Sequence, residues 1–496
     1  MFLIQPINLD LNSLRESIPL DSSTSNDRIL LIINQIYQTY VFDEGMRRND
    51  DYVYVYAHVL ESCYYKYRKI LDWLKENEVI EIYEGFSKGV YPKCYRLHST
   101  YRHQKSKLVH VTDPRVIKYL RNNQLDLSET TINRYPALWK FFREGKLKFD
   151  RTNIESILQD QLDQDILNIG EDNAYRRYSE KVFSIGWIES NRYWFKQDKF
   201  GKRLHTNITN LKSELRSNLL YDDSSKLVEV DIRNSQPYFS IPVLEKVFED
   251  NQEEIREYMM EEYGIGIDIM KNDQDNSINV SYTLQETQSN PLFMGYSEYK
   301  NLILSGDLYD VFKFKGQEQY GENYLQDYVN RLLIVRNYQV INNGGKKISY
   351  GGKTPRKQPI SNSSWVAPDL RGYQDRTIIK TMIFGVFYGK HEISSSHGDY
   401  KSLFKSLFPD VWYALGIIKG GEGKSGREFA KKLQRMESAS ILDVICKRLT
   451  KAKRNLPLYT IHDCVMTTEE NVDYVTEVLQ EELTRITGYP PEINIH

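Results

Sequence analysis

The chain has 496 residues, 27% of them charged and 40% hydrophobic, with room for two or three domains and a substantial core. A net charge of −2 gives no global sign of a nucleic-acid partner, and no run approaches the ~18 apolar residues of a membrane helix. Cys63, Cys94, Cys446 and Cys464 have neither CxxC nor metal spacing, which fits a reducing compartment. The start, MFLIQPINLDLN, lacks the basic and long apolar regions of a signal peptide, so a soluble, cytoplasmic protein is expected.

Ser25-Asn26-Asp27 caps a helix that runs through Tyr40. A periodic run from about Cys63 to Lys75 sets Tyr67, Ile70, Leu71 and Leu74 on one face. VIEIY and, past Gly85 and Gly89, VYPKCYRL read as a hairpin with a basic tip. Helices followed by a hairpin over residues 1–100 describe a winged-helix-like domain, a shape used for DNA and for protein contacts alike. Residues 101–225 are mainly helical. Here Trp139, Phe141 and Phe142 sit among Lys140, Arg143, Lys146 and Lys148. Further on, Arg192, Lys196, Lys199, Lys202, Arg203, Lys212 and Arg216 share a stretch with Trp187, Tyr193, Trp194 and Phe195. Such a run is either a solvated face or, with aromatics between the cations, a nucleic-acid surface.

Residues 227–239, LVEVDIRNSQPYF, alternate as a strand that ends at Asp231. The stretch from Asn251 to Asn290 is polar, acidic and then loop-like, with Glu253, Glu254, Glu257, Glu261 and Glu262 on a solvated helix. Residues 341–368 are rich in Gly, Pro and Ser and predict a loop. Its cations, Lys346, Lys347, Lys353, Arg356 and Lys357, suit either contact with template or triphosphate, or a plain insertion. GGEGKSG at 420–426 is not a phosphate loop, because Ile418 stands where that spacing requires Gly. One long helix is predicted from Arg427 to Leu449, with Ala430, Leu433, Ile441, Val444 and Ile445 as its core stripe. LPLYTIHDCVMTT, at 456–468, reads as a hairpin with Asp463 at its tip.

Residues 376–389, RTIIKTMIFGVFYG, carry Arg376, Lys380, Phe384 and Tyr388 four apart, one stripe on a helix. Two cations followed by two aromatics match a nucleoside triphosphate, with phosphates at one end and sugar and base at the other. Alone, the stripe is also that of an amphipathic core helix, and each Asp alone is also a turn residue. Together they suit two-metal phosphoryl transfer, which needs bridging carboxylates and a cationic clamp.

These residues resemble the polymerase domain of family A DNA polymerases, the bacterial DNA polymerase I type, and their relatives the single-subunit phage RNA polymerases. Asp231 with Ser235-Gln236 is similar to the family's motif A. Arg376, Lys380, Phe384, Gly385, Tyr388 and Gly389 match every fixed position of motif B, and His462-Asp463 matches motif C. GKRLHTN, with Arg203, and SGDLYDVF, at 305–312, are looser matches to the primer–template segment and the start of the fingers. The resemblance covers roughly residues 200–490. It departs at Gln236, where the DNA polymerases carry Glu, and at Cys464, where Glu is common.

The resemblance implies an α+β right-hand polymerase: an antiparallel palm sheet, helical fingers and a reduced helical thumb. The expected division is 1–100 winged-helix-like, 101–225 thumb-like and primer–template-binding, and 226–496 palm and fingers. The implied reaction is template-directed DNA synthesis from dNTPs on a primer–template, without a recognisable proofreading exonuclease. Two Mg²⁺ ions would be held by Asp231, Asp463 and the Ile232 carbonyl. Arg376 and Lys380 would meet the phosphates, with Lys380 placed to protonate the pyrophosphate. Phe384 and Tyr388 would position sugar and base, and Gln236 would exclude a ribose 2′-hydroxyl. Arg203, His462 and Gln434 (with Glu437 as the alternative to Gln434) would contact primer–template. Replication proteins are possible partners of the first domain. A primase or RNA polymerase of the same superfamily, or a non-catalytic DNA-binding replication factor on a polymerase scaffold, are the alternatives.

Overall fold

A computed structural model describes residues 1–48, 50–83, 93–222, 224–272, 277–284, 292–332, 370, 374–393 and 398–496. The basic tip expected between Gly85 and Gly89, and the loop at 341–368, lie outside the described residues. Helices and sheets are mixed throughout. Among the described residues no helix is long and apolar enough to cross a membrane, and the four cysteines form no disulfide. Two compact units share the chain. The first holds Met1–Lys196 and His205–Leu227; the second holds Gln197–Leu204 and the described residues from Val228 onward.

In the first unit, helix Asn26–Phe42 buries Ile29–Ile33, Ile36, Tyr37, Tyr40 and Val41. Apolar residues round most of its circumference place it in the interior. The elements that follow run strand Val53–Tyr54, helices Ala57–Cys63 and Tyr67–Glu76, then strands Ile80–Ile82 and Cys94–Leu97. The last strand lies between the other two, with Val53 opposite Tyr95 and Ile80 opposite Leu97. Helix Tyr67–Glu76 buries Tyr67, Ile70, Leu71 and Leu74, the stripe its periodicity predicts, and Trp73 as well.

The boundary expected at residue 100 falls inside this unit. Strand Phe2–Pro6 pairs antiparallel with Ser106–His110, from Phe2 opposite His110 to Pro6 opposite Ser106. Helices Arg151–Ile169 and Glu171–Glu189 pack as a pair around Gly170, whose φ of 81° favours glycine. Tyr37 on the early helix shares a hydrogen bond with Ser179 on the late one. The aromatics at 187–195 are not an open stacking surface. Trp187, Tyr193 and Phe195 are buried, and Trp139 and Phe142 pack against Tyr193 and Phe195. The physical reason is a period of two: strand Trp194–Gln197 turns Phe195 inward and Lys196 outward, to an ion pair with Asp126.

In the second unit, the end of strand Ser225–Ile232 pairs antiparallel with Ile493–Ile495, Val230 opposite Ile495 and Ile232 opposite Ile493. Hairpin Tyr459–Ile461/Cys464–Thr468 closes through His462-Asp463 and lies beside the same strand. The stretch expected to be acidic and then loop-like is helix Gln252–Tyr263 followed by an antiparallel hairpin, Ile265–Lys271 with Ile278–Leu284. Ile265, Ile267 and Ile269 alternate inward there, the period of a strand. The helix expected from Arg427 to Leu449 is helical throughout but not uniform. α-Helix Arg427–Ser438 passes into a π-helical segment, Ala439–Ile445, and then α-helix Cys446–Ala452. The wider turn brings Leu442 into the core and leaves Val444 half-buried, against the predicted stripe.

Asn34 clamps the first strand. Its Oδ1 accepts from Ile4 N at 2.9 Å, and its Nδ2 donates to Leu30 O at 3.1 Å and to Ile4 O. Asn34→Ala leaves both Ile4 backbone groups buried and unpaired, an expected cost of about 2–3 kcal/mol. Denaturant unfolding checks this: a midpoint equal to wild type contradicts the clamp.

Candidate active site

Two strand ends bring two carboxylates together within the second unit. Asp231 is the penultimate residue of its strand, with Ile232 as the last. Ile232 N donates to Asp463 O at 3.4 Å, which sets the hairpin tip against that strand end. His462 occupies the tip with φ 54°, the left-handed conformation that the first residue of a tight two-residue hairpin turn requires. Burial, and then repulsion from Asp463, push the Asp231 carboxyl up to about 8, with Lys380 pulling the other way. Two oxygen donors whose charges repel are suited to a hard divalent cation. Among the described residues no cluster of three or more His, Cys, Asp or Glu side chains is arranged around one point. Ions here would therefore draw further ligands from backbone, such as the Ile232 carbonyl, from substrate and from water.

Helix Asp375–Tyr388 buries Ile378, Ile379, Met382, Ile383, Val386 and Phe387. The predicted stripe occupies its other side and is graded: Arg376 and Lys380 are exposed, Phe384 and Tyr388 half-buried. The Lys380 ammonium lies 5.5 Å from the Phe384 ring centre, and Phe384 and Tyr388 are 5.2 Å apart. Arg376 lies 5.1 Å from the Tyr309 ring and donates to Asn234 Oδ1 at 3.2 Å. Its guanidinium also approaches Asp310 at 3.6 Å. Gly385 packs closely on Tyr400: a Cβ there would stand 2.7 Å from the hydroxyl oxygen, so the tyrosine would have to shift.

Behind this stripe lies a polar network. Asn234, at φ 55°, turns the chain from strand into helix Ser235–Asp250. Gln236, on the first turn, is 4% exposed. Tyr388 OH donates to Gln236 Oε1 at 2.7 Å, and Gln236 Nε2 donates to Glu437. Glu437 is 0% exposed and also accepts from Ser235 Oγ at 2.8 Å and from Arg203, Nε at 2.8 Å and Nη2 at 2.6 Å. Burial and Asp463 push the Glu437 carboxyl up to about 7, while Arg203 and Ser235 oppose that shift. Burial, and next the Glu437 charge, hold the Tyr388 hydroxyl protonated, as its donor role requires.

The geometry therefore gathers Asp231, Ile232, Asp463, Lys380, Arg376, Phe384, Tyr388, Gln236, Arg203 and His462 in one unit, and treats Gln434 differently. Gln434 is half-buried against Gly201, where a Cβ would lie 2.4 Å from its Oε1. Glu437, three residues further round the helix, is the one that reaches the network. Arg203 is held by a carboxylate, which its place in a basic run did not suggest. Asn234, Ser235, Tyr309 and Asp310 also join the site. Ser235 had a sequence signal in its place beside Gln236, and Tyr309 and Asp310 in the SGDLYDVF segment; Asn234 had none.

No family model matches the chain, and no curated protein does. Among solved structures, one that it is similar to is the POL domain of Pol1 from M. smegmatis in complex with DNA primer-template and dNTP. The TM-score is 0.35 and the identity 11%, over 70% of this chain and 57% of that one. A likeness of that size defines neither a fold nor an activity.

The raised carboxyls set a pH dependence. A folded-state pKa above the unfolded value adds stability at low pH that is lost as pH rises through the folded value. In chelator, stability is expected to fall between about pH 4 and the Asp231 value of about 8, Glu437 contributing with the same sign up to about 7. Asp231→Asn should flatten that slope and raise the thermal midpoint at pH 8, and added Mg²⁺ should stabilise wild type but not the variant. Thermal midpoints across a pH series check both. Parallel slopes for the two chains would show that the Asp231 carboxyl is not raised by its burial and its neighbours.

Proposed function

We propose that this chain is a template-directed DNA polymerase that transfers nucleotides from dNTPs to a primer 3′-hydroxyl. The observation that carries the reading is the hydrogen bond from Tyr388 OH to Gln236 Oε1. It ties the last aromatic of a phosphate-to-base stripe to a bulky side chain five residues after a strand-end carboxylate. In the polymerases that the sequence resembles, a bulky residue at that position is the gate against a ribose 2′-hydroxyl.

In this reading Arg376 and Lys380 clamp the triphosphate, and Lys380 delivers a proton to the departing pyrophosphate. Phe384 and Tyr388 wall the sugar and base. Asp231, Asp463 and the Ile232 carbonyl hold two Mg²⁺ ions, which when bound acidify the 3′-hydroxyl and offset charge at the α-phosphate. Arg203, His462 and Gln434 face primer–template, Arg203 while tethered to Glu437. The order of elements from Asn26 to Leu97 in the first unit, with its last strand between the other two, supports a winged-helix-like module that grips DNA by its backbone.

A primer-extension assay with dNTPs and rNTPs in parallel tests the reading. Asp231→Asn and Asp463→Asn should each abolish Mg²⁺-dependent extension while leaving primer–template binding near wild type. Wild-type rates in both variants refute the assignment.

Gln236→Gly should raise rNTP use relative to dNTP by at least about tenfold, or roughly 1.4 kcal/mol, in the ratio of kcat/KM. A wild type that already prefers rNTPs would make the chain an RNA-synthesising enzyme instead.

A further inference from the structure

Gln236 has both ends of its side-chain amide committed. Oε1 accepts from Tyr388 OH at 2.7 Å, and Nε2 donates to Glu437. A flipped amide would turn its oxygen toward a fully buried carboxylate, so Glu437 allows one orientation only. Glu437 has no slack of its own. One oxygen takes both Arg203 contacts, and the other takes Ser235 and Gln236. The carboxylate is thus saturated by donors, and residue 236 must supply one of them.

We infer that Glu437 is a positioning residue for sugar choice: it pins the Gln236 amide so that Gln236 in turn pins Tyr388. The inference rests on the polymerase reading of this site. It carries a charge rule. The pair at 236 and 437 holds one carboxylate and one amide, and the carboxylate sits at 437. A carboxylate at 236 as well would put two buried acids face to face, and they could pair only if one of them kept a proton that the wild-type amide does not need. Moving the amide to 437 at the same time restores the pattern. The amide, now on the other helix, would donate across to the new carboxylate and still accept from Arg203. The carboxylate at 236 would keep an oxygen for Tyr388.

The test is a four-chain cycle: wild type, Gln236→Glu, Glu437→Gln and the double variant. Thermal midpoint is read first, then kcat/KM for a dNTP and for the matching rNTP on one primer–template. Gln236→Glu is expected to lower the midpoint and to cut the dNTP/rNTP ratio by at least about tenfold. Glu437→Gln, which frees the Gln236 amide to flip, is expected to cut the ratio as well. The double variant should recover a ratio within about threefold of wild type. A merely structural Glu437 would move the midpoints and leave all four ratios equal, and that result overturns the inference while the polymerase reading stands. A double variant no better than the sum of the singles overturns it too. A wild type that extends no primer with either sugar overturns the polymerase reading, and the positioning role falls with it. The midpoint cycle then still reports whether residues 236 and 437 are coupled as described.

Discussion

A carboxylate with no exposed surface must be surrounded by donors, and in the second unit Glu437 imposes that condition on three separate parts of the chain. Arg203 comes from the short segment Gln197–Leu204, Ser235 and Gln236 from the start of one helix, and Glu437 itself from another. Removing one partner of a buried pair costs about 3–5 kcal/mol, because the remaining charge stays desolvated. The cost fixes where the segments lie: none can drift by an ångström without leaving a charge unpaired. The Tyr388 hydroxyl, one bond further out, inherits the same fixity through Gln236.

In front of that rigid layer the charges are arranged differently. Arg376 and Lys380 are exposed on the same helix whose later residues are half-buried, and Asp231 and Asp463 sit at strand ends. The back of the site is thus satisfied internally, and the front is left with one pair of like charges and one pair of cations. A back wall with no spare hydrogen-bonding capacity suits recognition of shape. A front with exposed cations beside a pair of carboxylates suits an anionic ligand accompanied by divalent cations.

Much of this was legible where the signal is local. The four-residue spacing of Arg376, Lys380, Phe384 and Tyr388 is a property of one helix, Asp231 follows from alternation that stops, and Asp463 from an apolar run interrupted by His462-Asp463. What was not legible depends on contacts far apart in sequence. Nothing in the neighbourhood of Glu437 marks it as the residue that meets Arg203, 234 positions away. Gln434 lies on the same helix and is an equally good candidate by type. The aromatics around residue 193 misled because basic and aromatic residues adjoin in sequence, whereas the strand period separates them onto opposite faces. The hairpin at 265–284 was hidden by the acidic helix before it, whose composition coloured the whole stretch.

The pairing of Phe2–Pro6 with Ser106–His110 has a consequence for how the first unit is assembled. Phe2 N also donates to Ser190 Oγ at 2.8 Å, so the first strand is completed only by residues more than a hundred and eighty positions later. At about 5–20 residues per second of synthesis, the strand waits on the order of ten seconds or more for its last partner. The three strands between Val53 and Leu97 pair with one another, and can form in that interval. The strand is therefore held in stages, by Asn34, then by Ser106–His110 and then by Ser190. During that wait Ile4 can already meet the helix that carries Asn34, while the other edge of the strand lacks the partner it later finds at Ser106–His110.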